Sequence, residues 1–265
     1  MFQRRHIYRF FSYFAAAVVS LPLFFSFACS KPDALIVFAA ASLQDVFTEL
    51  QPAAEKACGR NIAWNFGGSG VLRAQIENGA PADVFVSASV HEMDRLKAAF
   101  PVDEETLISP LYNALVLVGP SGSPLLHDKE FVVSILDETS RFAMGDPEVV
   151  PAGRYAGQAI AKLNLGQSTE GRILLGQNVR QVLTYVETGA VQYGFVFLTD
   201  AKISAAQGKS ALIYQFAPED IDDPVQYQAA VLTSSSQREK AVAFVQFLES
   251  EEARQAFLSA GFGIP

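Results

Sequence analysis

Between residues 35 and 99 three short apolar runs alternate with three amphipathic stretches, and few folds accommodate a chain with that rhythm. The pattern predicts strands at 35–40, 61–66 and 83–87, and helices at 42–57, 70–78 and 89–99. Strand–helix–strand units of this kind read as an open parallel α/β sheet. After Pro110 and the strand Leu115-Val116-Leu117-Val118 comes a second set: strand 141–144, helices 152–164 and 179–188, then strands 193–197 and 211–215. Gln237 to Ala260 reads as one long amphipathic helix, with Val242, Phe244, Val245, Phe247 and Leu248 on or near its apolar face. No internal repeat or low-complexity segment follows the leader. Periodicity goes no further than an α/β protein of one or two lobes.

The chain has 265 residues, 50% of them hydrophobic, enough for a substantial core and one or two domains. Its formal net charge is −8, which argues against nucleic acid or anionic lipid as the main partner, since both need phosphate-neutralising lysines and arginines. Residues 1–28 read as an export signal: Arg4, Arg5 and Arg9 make a basic start, and Phe10 to Ala28 is an apolar run. A retained N-terminal anchor is the competing reading, because the run approaches the length of a membrane span. Ser26-Phe27-Ala28-Cys29 looks like a lipoprotein processing site, although Ser26 stands where leucine is preferred and Phe27 where a small residue is. Lipidation at Cys29 competes with cleavage to a free periplasmic protein. Cys58 then has no partner and is expected as a buried, inert thiol.

Three strand-to-helix junctions carry the chemistry. Gly145-Asp146-Pro147-Glu148-Val149-Val150-Pro151-Ala152-Gly153 ends a strand, turns and opens a helix. The first turn of a helix has unpaired amides and partial positive charge, so an anion can bind there without a basic side chain. Val37-Phe38-Ala39-Ala40-Ala41-Ser42-Leu43 runs from strand to helix with Ser42 at the expected N-cap, and Phe66-Gly67-Gly68-Ser69-Gly70-Val71-Leu72 repeats the arrangement with Ser69. A serine in such a place, met alone, is an ordinary cap for its own helix.

Read with Ala-Pro-Ala-Asp-Val-Phe-Val-Ser-Ala at 80–88, these strings resemble the periplasmic molybdate-binding proteins of ABC importers, over nearly all of the chain from about Ala34 to Pro265. The resemblance implies an α/β, two-lobed periplasmic binding protein-like fold of type II, with mixed sheets flanked by helices and a ligand cleft between the lobes. Lobe 1 would comprise 34–112 plus 227–265 and lobe 2 residues 113–226, with crossings near Tyr112-Asn113 and Val225–Tyr227 and the tail returning to lobe 1. It implies no cofactor. The expected ligand is molybdate or tungstate, the partner a membrane permease, the form a monomer, and the place the periplasm, free or anchored through Cys29. Carried over by motif, Ser42 and Ser69 would each give a hydroxyl and a backbone N–H, and Ala152 and Val179 their N–H groups.

The family commonly ends one strand in a tyrosine whose hydroxyl bonds the anion; this chain has Phe197 there. The missing donor would cost about 1–3 kcal/mol unless a water replaces it, since Tyr193, four residues away, is expected to be out of reach. Arg73, Arg154 and Arg180 sit at helix starts and are expected to serve a solvated face or interlobe ion pairs more than the ligand; Asp83 and Asp146 are expected to fix loops. Two other functions stay open: a same-fold protein for another oxyanion or a metal, and an exported hydrolase using Ser69. Paired tyrosines for iron are missing at the motif ends. A hydrolase would need a base, while His91 and His127 are isolated and Val71 breaks the nucleophile-elbow pattern.

Overall fold

The computed structural model describes residues 34–138 and 141–265; the leader and Cys29 lie outside them. The first half runs β1 (Ala34–Ala40), α1 (Gln44–Cys58), β2 (Asn61–Gly67), α2 (Ser69–Glu77), β3 (Val84–Ser87), α3 (Val90–Ala99) and β4 (Val102–Tyr112). Then follow β5 (Leu115–Pro120), α4 (Lys129–Glu138), β6 (Phe142–Gly145), α5 (Pro151–Lys162), β7 (Ile173–Gly176), α6 (Val179–Glu187), β8 (Tyr193–Phe197), α7 (Leu198–Ala206) and β9 (Ser210–Gln215). The chain closes with β10 (Gln226–Leu232), α8 (Arg238–Phe247) and α9 (Glu251–Ala260).

Two five-stranded sheets result, in the orders β2-β1-β3-β10-β4 and β7-β6-β8-β5-β9. In the first, β1, β2 and β3 are parallel, and β10 runs antiparallel to both β3 and β4. In the second, β6, β7 and β8 are parallel, and β5 is antiparallel to β8 and β9. The α/β reading of the sequence therefore holds, but the sheets are mixed, as the expected two-lobed fold requires and the open parallel pattern alone did not. The chain passes from the first sheet to the second between β4 and β5 and returns between β9 and β10. Strands β3 and β6 are buried at every position, because helices cover both faces of a sheet built on parallel crossovers.

The sequence pattern missed β4, β7, β10, α4 and α7. It also joined two helices into one: the expected helix from Gln237 to Ala260 breaks after Phe247, and α9 starts afresh at Ser250, whose hydroxyl oxygen accepts from Ala253 N at 3.2 Å. Both pieces return to the first sheet. Phe244 and Phe257 each set their rings 6.2 Å from Phe47 of α1, and Gly263 N donates to Tyr112 O at 2.9 Å. Cys58 is a buried free thiol at the end of α1, and burial raises its pKa.

Candidate functional site

Ser42, Ser69, Ala152, Val179 and Phe197, up to 155 positions apart in sequence, line one small chamber between the two sheets. Each stands at the carboxyl end of a strand, after β1, β2, β6, β7 and at the end of β8, where open α/β sheets leave a crevice. The free space in it is small, about 10 Å³, on the order of what one water molecule needs. Among the described residues, no charged side chain lines it.

Its polarity comes from backbone and hydroxyl groups. Ser69 and Val179 open α2 and α6, and Ala152 is the second residue of α5, after Pro151 at the helix start. Donors in these first turns have no carbonyl one turn earlier to bond, so three helix mouths present N–H groups to the chamber. The cap of α6 is Asn178, whose side chain accepts from Gln181 N at 3.0 Å and leaves the Val179 amide alone.

The serines do not cap their helices. Ser42 lies within a 3-10 turn, Ala41–Leu43, rather than at an N-cap, and its Oγ is 2.7 Å from Tyr227 Oη; Ser69 is the first residue of α2, not its cap, and its Oγ accepts from Ala88 N at 3.0 Å. Both are buried, at 3% and 0% exposure, where an unpartnered hydroxyl is costly. No histidine, aspartate or glutamate lines it to act as base for Ser69.

Phe197 is buried and wedged between two tyrosines, its ring centroid 6.3 Å from Tyr155 and 6.2 Å from Tyr227. Burial pushes the Tyr155 phenol up to about 12, and its hydroxyl donates to Pro224 O at 3.3 Å. Tyr193 packs against Gly119, at the far end of β8, and does not line the chamber. Tyr227, whose hydroxyl touches the chamber residue Ser42, was offered by the sequence only as part of a crossing between sheets. A phenol between Gln226 and Gln228 at the start of the crossing strand was the available signal.

The three arginines are all paired, and none lines the chamber. Arg73 bonds Glu92 at 2.7 Å and Glu77 at 2.6 Å, and Arg154 bonds Asp223 at 2.9 Å. Arg180 links elements on the two sheets: from α6 it reaches Asp45 in the first turn of α1 and Asp200 Oδ1 of α7, the latter at 2.7 Å but poorly aligned for a hydrogen bond. Asp83 fixes a loop as expected, accepting from Ile36 N at 2.8 Å, and Asp146 accepts from Glu148 N at 3.0 Å. A larger cleft of about 600 Å³ lies beside the chamber, lined in part by His91, Arg95 and Arg154, but its charges are largely paired, with Arg95 also 3.6 Å from Glu92.

Asp200 is fully buried, and desolvation pushes its pKa up to about 6 despite Arg180. The folded chain therefore holds this proton more tightly than the unfolded one does. The resulting stability is complete below the ordinary aspartate value of 3.8 and is lost as pH rises through about 6. Relative to Asp200→Asn, the wild-type melting temperature is expected to fall between about pH 4 and pH 7, by an amount equivalent to roughly 2–3 kcal/mol. Parallel pH profiles would refute this.

Residues 35–263 match the family of bacterial extracellular solute-binding proteins. The chain belongs to that family. Among its relatives, a Bacillus subtilis protein named as an ABC transporter substrate-binding lipoprotein is 36% identical over 88% of this chain and 87% of its own. A molybdate-binding protein of Haemophilus influenzae is 34% identical, covering 94% of this chain and 96% of its own. In structure, the periplasmic molybdate-binding protein of Azotobacter vinelandii superposes with a TM-score of 0.76 over 87% of this chain and 99% of that one; at 23% identity this shows the fold alone. Membership makes this an exported solute-binding protein, and the family's relatives are binding proteins rather than enzymes.

Proposed function

We propose that this solute-binding protein captures molybdate, and tungstate with it, and delivers the anion to the membrane permease of an ABC importer without changing it chemically. The observation that carries the proposal is a chamber with no charged side chain, framed by three helix mouths and two buried serine hydroxyls. Fixed neutral donors are the means by which a chain of net charge −8 can hold a dianion. Relatives named for molybdate binding, at 34% and 32% identity over most of the chain, support the choice of anion.

In this reading Ser42 and Ser69 belong to lobe 1, residues 34–112 plus 227–265, and Ala152 and Val179 to lobe 2, residues 113–226. The hinge is where the chain crosses, near Tyr112-Asn113 and Val225–Tyr227. Closure assembles the donor set around the anion. Sulfate is too small to reach every fixed donor at hydrogen-bond length, and a protonated phosphate brings a hydrogen for which a donor-only wall has no acceptor. The protein acts as a monomer in the periplasm, free or anchored at the membrane through Cys29.

The test is the melting temperature of the chain from residue 30 onward with molybdate, tungstate, sulfate and phosphate in turn, since a ligand that binds only the folded state must raise it. Upward shifts are expected with the first two alone. Phe197→Tyr should enlarge them, because a donor added at the chamber wall contributes about 1 kcal/mol. No shift with any of the four sinks the proposal.

A further inference from the structure

The hydrogen bonds around Ser42 run in one direction, and that direction decides what Ser42 can offer the chamber. Asn113 stands between β4 and β5, where the chain first crosses between sheets. Its Oδ1 accepts from Ala114 N at 2.9 Å, which fixes the amide and leaves Nδ2 as the inward-facing donor. That nitrogen donates to Thr199 Oγ1 at 3.0 Å and to Tyr227 Oη at 3.2 Å. Tyr227 is fully buried, and burial holds its phenol well above the usual range, so the hydroxyl keeps its proton. With its oxygen accepting from Asn113, Tyr227 directs that proton to its other neighbour, Ser42 Oγ, 2.7 Å away. Either hydroxyl can donate across that 2.7 Å contact, and in the sense that Asn113 favours, Ser42 accepts and has its own hydrogen for the chamber. Ser69 is set in the same sense by the Ala88 N–H.

We infer that the string Asn113–Tyr227–Ser42 is a specificity device, holding Ser42 as a donor toward the chamber so that the site favours an anion carrying no proton. The inference rests on the oxyanion reading above. A hydroxyl turned the other way presents lone pairs, which repel a bare dianion, whereas a protonated anion can donate its own hydrogen to them. Neither Asn113 nor Tyr227 lines the chamber; both are positioning residues that act through Ser42.

Asn113→Asp reverses the string at nearly constant shape. The new carboxylate accepts from Tyr227, Tyr227 then accepts from Ser42, and the serine hydrogen leaves the chamber. Molybdate and inorganic phosphate are compared by calorimetric titration in mildly alkaline buffer, where both are tetrahedral dianions and phosphate retains one proton. The variant's added charge repels both alike, so it cancels in the ratio of their affinities. The preference for molybdate is expected to fall about tenfold or more in Asn113→Asp, and by less in Tyr227→Phe, where the Ser42 hydroxyl turns freely. In a Ser42→Ala background Asn113→Asp should leave the preference unchanged. An unaltered preference in Asn113→Asp, or no phosphate binding by it, overturns the inference. If that variant does not fold, an unaltered preference in Tyr227→Phe overturns it. A wild-type chain that binds neither anion overturns the oxyanion reading instead, and the device with it.

Discussion

Gly70→Ala is expected to lower molybdate affinity on the order of 100-fold while leaving the ligand-free protein as stable as before. Gly70 lies in α2, and a Cβ there would sit 2.7 Å from Val149 Cα and 2.8 Å from Val149 O, backbone atoms at the mouth of α5 on the other sheet's side. The same residue donates its N–H to Val149 O at 2.9 Å. Backbone on both sides cannot give way, so the added methyl is relieved only by separating the lobes. Within its own helix alanine is the better residue, by up to about 1 kcal/mol over glycine, so the cost falls on closure alone. Calorimetric titration and small-angle scattering together check this: the variant should bind weakly and fail to contract with molybdate. Tight binding by Gly70→Ala would mean that the packing of α2 against Val149 is not that of the binding state.

The same substitution one helix away should act on folding instead. Gly153 lies in the first turn of α5, where a Cβ would meet Gly145 O at 2.0 Å and Gly145 C at 2.4 Å. Gly145 in turn admits no Cβ, because Val150 Cγ1 would stand 2.4 Å from it. Strand β6 and helix α5 thus approach through two glycines, and this close approach sets Ala152 at the chamber wall. Gly153→Ala is expected to cost about 3 kcal/mol or more, at the upper end for overpacking, because the clash is with backbone of the same lobe and no hinge relieves it. Urea unfolding should show a lower midpoint at unchanged slope. A midpoint raised by the helix preference of alanine would refute the packing argument.

Much of this could be read locally. β1, β2, β3 and their helices follow from short-range alternation, and Ser42, Ser69 and Ala152 stand at strand-to-helix junctions a few residues long; Val179 came only through the family resemblance, because the strand before it went unread. A helix mouth is made by consecutive residues, so its free amides are a property of the sequence. The break at Ser250 was also local, in a serine followed by Glu251 and Glu252, but the apolar face continues through it to the same Phe47 and the period hid it.

What the chain by itself determined, then, is the α/β alternation and the neutral strand-to-helix junctions at Ser42, Ser69 and Ala152. Tertiary structure alone decided that β10 inserts antiparallel between β3 and β4, that Arg180 joins Asp45 to Asp200, and that Tyr227 meets Ser42 across 185 positions. The physical reason is range. Propensity and periodicity act over a few residues, whereas the direction of a hydroxyl's hydrogen is set by whichever partners the fold brings to it, and those of Ser42 come from the crossing strand and the hinge.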